Sequence, residues 1–123
     1  MVYTSLNQSK TLSKILPLKS ADMYYSHEFV NSAGDYYKIN IASEGYFDDE
    51  ELLGSDIPAW SLASLLEIIP GCELSRSVDN NTKWEASAWK DPDFELLMRV
   101  EGFDKPIDAC YEMILKLHEL KML

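Results

Sequence analysis

Histidine and cysteine are the side chains best suited to nucleophilic, acid–base or metal chemistry near neutral pH, and this chain of 123 residues holds His27, His118, Cys72 and Cys110. Neither histidine stands in an H-E-x-x-H or H-x-H pattern, and the cysteines form no C-x-x-C, so the spacing offers no zinc site. Cys110 and His118 fall on one helical segment, where a separation of eight residues turns the side chains about 80° apart and about 12 Å along the axis. They form no direct nucleophile–base dyad. The two cysteines are far apart and in apolar settings, which reads as two buried free thiols rather than a disulfide framework.

The acids give no clearer chemistry. Asp48-Asp49-Glu50-Glu51 suggests calcium, but an EF-hand loop needs ligands at alternate positions, a Gly at the sixth and a Glu at the twelfth, and these are missing. Among 21 acidic residues no catalytic pair stands out. The five glycines form no G-x-G-x-x-G, Walker loop or G-x-S-x-G elbow, so nucleotide cradling and a serine nucleophile are unsupported. The sequons Asn7-Gln8-Ser9 and Asn80-Asn81-Thr82 have no meaning in a cytoplasmic chain. The expectation is no catalytic residue, no metal and no cofactor.

Charge bounds the partners. The net formal charge is −10, and between Lys38 and Arg76 stand Glu44, Asp48, Asp49, Glu50, Glu51, Asp56, Glu67 and Glu73 with no base among them. That field opposes direct nucleic-acid binding and anionic membranes, and it attracts a basic protein partner. The same surface also serves solubility. No apolar run approaches the roughly 18 residues that span a bilayer, and Met1 to Lys14 is polar, which together point to a cytoplasmic protein without membrane association.

The elements that must position these residues follow from periodicity. Ser5-Leu6-Asn7-Gln8 has capping-box spacing ahead of Leu12, Ile15 and Leu16, and Pro17 stops the pattern, so a short first helix is expected. Asp22 to Val30 alternates with period two, and Tyr36 to Ile41 does so again after the turn Asn31-Ser32-Ala33-Gly34, which predicts a hairpin. Glu44 to Asp56 reads as an exposed acidic connection with a helical turn at Asp48–Leu53. Leu62, Leu65, Leu66 and Ile69 make one stripe of a helix capped by Ser61 and ended by Pro70-Gly71. Candidate strands follow at Cys72–Val78, Lys83–Trp89 and Asp93–Glu101, the last with Phe94, Leu96, Met98 and Val100 on one face. Pro106 opens the strongest helix, with Ile107, Cys110, Met113, Ile114, Leu117 and Leu120 along one side. The expected fold is a single α+β domain over residues 1–123, of order α-ββ-α-βββ-α. It has an antiparallel sheet of about five strands with helices packed on one face.

Against that frame Tyr24, Tyr36, Trp60 and Trp89 fall opposite the better apolar stripes or at a helix entrance. Large rings so placed are the usual anchors of protein interfaces. With the acidic run Asp48, Asp49, Glu50 and Glu51 they make up the candidate interaction surface. The alternative is that they line a second small core or a sheet face.

Several segments also carry a resemblance: Ser9-Lys10, Ile15-Leu16-Pro17, Ser20-Ala21-Asp22-Met23, Ile57-Pro58-Ala59-Trp60-Ser61-Leu62-Ala63-Ser64-Leu65-Leu66 and the closing helix from Pro106 to Glu119. With them the chain resembles a group of small proteins of gut Bacteroidales, their prophages and mobile elements. The resemblance spans the chain and departs at Lys105, where Asn is usual before Pro106, so Asp104 is expected to take over the helix cap. It brings no activity, cofactor or catalytic residue. It implies only a bacterial or phage cytoplasm and an accessory role.

The leading functional expectation is therefore a non-enzymatic interaction protein, an accessory factor of a phage or mobile element that docks onto a basic partner. A small-molecule binding or sequestering protein with a pocket lined by Tyr25, Tyr37 and Trp84 is the second reading. An enzyme centred on His27 or His118 is the third. An open sheet also has an edge on which a copy of the chain can pair, so a homo-oligomer is compatible with all three.

Overall fold

The structure is a computed structural model that describes residues 3–30, 34–43, 46–47, 56–77, 82–90 and 95–123. Its elements are α1 (Leu6–Leu12), a 3-10 turn (Leu18–Ser20), β1 (Met23–Val30), β2 (Gly34–Ile41), β3 (Ile57–Ala59), α2 (Leu62–Ile68), β4 (Glu73–Ser77), β5 (Lys83–Lys90), β6 (Glu95–Phe103) and α3 (Pro106–Glu119). They fall into two compact units, Tyr3–Ser64 and Leu65–Leu123.

The α+β class holds, but the single five-stranded sheet does not. There are two three-stranded antiparallel sheets, ordered β2-β1-β3 and β4-β5-β6. The difference comes from β3, three residues that carry a proline and show no alternation. They pair with β1 through Met23↔Ala59, Tyr24↔Pro58 and Tyr25↔Ile57. With β2 on its other side β1 has both edges occupied, and the later strands build a sheet of their own around β5. Pro58 is tolerable there because of its register. The amide of Ala42 donates to the carbonyl of Asp22 at 3.0 Å, so Tyr24 and its alternate neighbours turn their backbone groups toward β2. Opposite Tyr24, Pro58 sits in a pair that needs no N–H.

In the first unit the capping box forms as expected. The Gln8 amide donates to Ser5 Oγ at 3.1 Å and the Ser5 amide to Gln8 Oε1 at 3.0 Å. Leu12 is fully buried, Leu16 nearly so, and α1 packs on β3. Met23, Tyr25 and Ala59 form a cluster to which Tyr3, Leu6, Ile39 and Ile57 add partly buried surface.

In the second unit β5 is central, and α3 packs against β5 and β6. Ala86 and Ala88 are fully buried on β5, with Val100 on β6. Small side chains on the central strand let the helix approach closely, and Ile107, Cys110, Met113, Ile114 and Leu117 fill the layer. Gly71 turns the chain into β4 with φ of +49°, and a Cβ there would lie 2.7 Å from the carbonyl oxygen of Trp89. Only glycine fits so close a backbone approach. Asp104 does not cap α3: no side chain caps this helix, and the Asp104 carboxylate instead receives Lys83 Nζ. A proline at the first position lowers the need for a cap, since it brings no N–H to satisfy.

Candidate interaction surface

The most connected polar residues of the first unit are buried or half-buried. Thr4 Oγ1 accepts from the amide of Trp60 at 3.1 Å and shares a 2.7 Å hydrogen bond with Ser9 Oγ, while the Thr4 amide donates to the Trp60 carbonyl at 2.9 Å. Tyr25 donates its phenol to the Thr4 carbonyl at 2.8 Å, and Trp60 Nε1 donates to Ser20 Oγ at 3.0 Å. The Asp22 carboxylate takes both the amide of Ser61, at 2.8 Å, and its hydroxyl. Ser61 Oγ in turn accepts the Ser64 amide at 3.2 Å and so caps α2. Such a network fixes the entry of α2 against β1. Within it the Ser61 hydroxyl donates to Asp22 and accepts the Ser64 amide, which is a capping arrangement. Ser9, Ser20, Asp22, Trp60, Ser61 and Ser64 meet here.

Trp60 is 0% exposed and leaves the accessible surface altogether. A ring at a helix entrance reads as exposed only when no strand precedes it, and β3 does. Trp89 is half-buried, with its Nε1 buried and without a hydrogen-bond partner among the described residues. Tyr24 is half-buried as well, stacked on Tyr46 with ring centroids 4.4 Å apart and planes 9° from parallel. Tyr46 meets Phe47 edge-on at 4.8 Å and donates its phenol to the Asp56 carboxylate. Burial, with the Asp56 carboxylate next, pushes the Tyr46 phenol well above its ordinary range. Asp48, Asp49, Glu50 and Glu51 lie outside the described residues, as does the helical turn expected there.

Tyr36 is the candidate that the structure leaves open, at 49% exposure. It stands on β2, at the end of its sheet, next to Tyr37 at 37% and Ile41 at 69%. The register Tyr24↔Asn40 and Glu28↔Tyr36 turns the backbone groups of Tyr36, Lys38 and Asn40 toward β1. Those of Tyr37, Ile39 and Ile41 therefore point to the outer edge. Lys10 Nζ lies 5.8 Å from the centre of the Tyr37 ring, and the His27 ring is 5.3 Å from it. Along this strand Tyr36 stands on one face and Tyr37 with Ile41 on the other, beside a row of outward N–H and C=O groups. Sequence alternation showed Tyr37 and Ile41 on a strand but could not show that the strand ends a sheet.

The other candidate constellations draw residues from both units. Tyr25 and Tyr37 share the first sheet, whereas Trp84 is on the second with the Arg76 guanidinium 5.5 Å from its ring centre. His27 is on β1 and His118 in the last turn of α3. Among the described residues no group of three or more His, Cys, Asp or Glu gathers as a metal site, and no helix is long and apolar enough to cross a membrane. No family model matches the chain, and neither a curated protein nor a solved structure matches it.

Proposed function

We propose that the chain is a non-enzymatic interaction domain, an accessory factor of a phage or mobile element, that binds a basic protein partner along the outer edge of β2. The observation that carries this reading is the set of exposed side chains Tyr36, Tyr37 and Ile41 on a terminal strand. An open edge offers main-chain hydrogen bonds to an extended segment, and alternate side chains give that pairing its selectivity. Natural proteins usually blunt such an edge, and an apolar, aromatic one marks a surface that is covered in use. The net charge of −10 favours a basic partner and speeds its encounter, and it disfavours nucleic acid as the direct ligand. The resemblance of the segments around Ser9, Asp22, Trp60 and Pro106 to Bacteroidales prophage and mobile-element proteins supports the accessory role.

Affinity capture with the tagged chain from a Bacteroidales host lysate tests it. A stoichiometric basic protein is expected at low salt and is progressively lost as salt rises. Recovery of the chain alone at both low and high salt would overturn the proposal.

A further inference from the structure

Cys72 and Cys110 are distant in sequence, but the topology of the second unit brings them to one layer. Cys72 immediately precedes β4, and continuing the register Glu73↔Ser87 and Leu74↔Ala86 places it opposite Ala88. That is the side of the sheet bearing the buried Ala86, Ala88 and Val100. α3 packs on β5 and β6 with Cys110 fully buried. There the two thiols are neighbours, each the leading influence on the other's acidity. Their access differs: Cys72 is half-buried and Cys110 is fully buried.

We propose that Cys72 and Cys110 form an oxidisable dithiol, which a low-molecular-weight disulfide such as glutathione disulfide converts to an intramolecular disulfide joining the start of β4 to α3. The Cys72 thiolate attacks one sulfur of the reagent, giving a mixed disulfide and releasing one reagent thiolate. Cys110 then gives up its proton, and its sulfur attacks the Cys72 sulfur and expels the second thiolate. Two protein thiols and one small disulfide become one protein disulfide and two small thiols, so atoms and electrons balance. The order of attack follows from access, since Cys72 is half-buried and Cys110 fully buried, and the directions of acidity agree: the neighbouring Cys110 lowers the pKa of Cys72, while Cys72 and burial raise that of Cys110. An accessible, activated thiol backed by a second within reach is the arrangement of a reactive cysteine with its resolving partner.

The test uses the reduced full chain, incubated with glutathione disulfide, quenched, denatured and treated with N-ethylmaleimide before intact-mass and peptide analysis. Both thiols should disappear together, with an intact mass lower by two hydrogens, a Cys72–Cys110 linked peptide and full reversal by dithiothreitol. Cys110→Ser should stop at a stable glutathione adduct on Cys72, and Cys72→Ser should leave Cys110 unreacted. Should either variant fail to fold, the wild-type peptide map decides. A stable adduct on wild-type Cys72 with Cys110 still alkylated, a disulfide between two chains, or no reaction would each overturn the proposal.

Discussion

Thr4, an inconspicuous residue near the start of the chain, joins α1 and the segment before α2 through its hydroxyl and β1 through its carbonyl. Replacing it by valine keeps the shape, yet leaves the Trp60 amide without its acceptor and Ser9 Oγ without its partner in a buried site. A loss of about 1–3 kcal/mol is expected in urea unfolding. Tyr36→Ser should stay within about 0.5 kcal/mol of the parent, because its ring is largely in water. Tyr46 adds a pH dependence. Burial and the Asp56 carboxylate raise its folded pKa above the unfolded value near 10, so its contribution is complete below about pH 10 and is lost as pH climbs beyond. Melting temperature should fall on that alkaline side, and Tyr46→Phe should make the fall shallower. It should not abolish it, since burial also raises Tyr25. These roles were unreadable in the sequence because a hydroxyl in Thr4 or Tyr46 looks the same whether it meets solvent or a buried amide. Trp60 shows the opposite error: its type suggested an interface anchor, and its position made it a core residue.

The helix ends show how much local chemistry alone can specify. α3 finishes in a Schellman motif: the Met122 amide donates to the Leu117 carbonyl at 2.8 Å and the Lys121 amide to His118 at 3.0 Å, with Lys121 at φ of +58°. A left-handed non-glycine residue costs about 1 kcal/mol or more there. Lys121→Gly should therefore raise the melting temperature, and Lys121→Val should lower it. The caps at Ser5 and Ser61, the hairpin and the amphipathic α3 were legible, because each depends on residues a few positions apart. The third strand of the first sheet was not. Ile57–Ala59 owes its extended form to pairing with Met23 and Tyr25, more than thirty residues earlier, and its proline argued against a strand. The partition into two sheets was hidden for the same reason, since alternation gives each strand a face and no partner. The meeting of Cys72 with Cys110 likewise depends on α3 lying over the second sheet.

Across the whole molecule the sequence showed strong acidity, an α+β order and an absence of familiar catalytic spacing, and the structure adds an edge. The polar network of Thr4, Ser9, Ser20, Asp22, Trp60 and Ser61 serves the fold of the first unit, and the proposed partner surface is β2. On the proposed reading, a net charge of −10 speeds the encounter with a basic protein. Substituting lysine for both Tyr36 and Ile41 removes apolar contacts at the edge and adds repulsion toward such a partner, yet disturbs no buried residue. Far-ultraviolet circular dichroism and melting should confirm that this variant keeps the parent fold. The decisive measurement is the amount of partner captured by the double variant Tyr36→Lys, Ile41→Lys beside the parent, from the same host lysate at low salt. Binding along β2 requires a loss of at least tenfold, about 1.4 kcal/mol, with the fold intact. Equal capture by the two chains, or no partner for either, would contradict it.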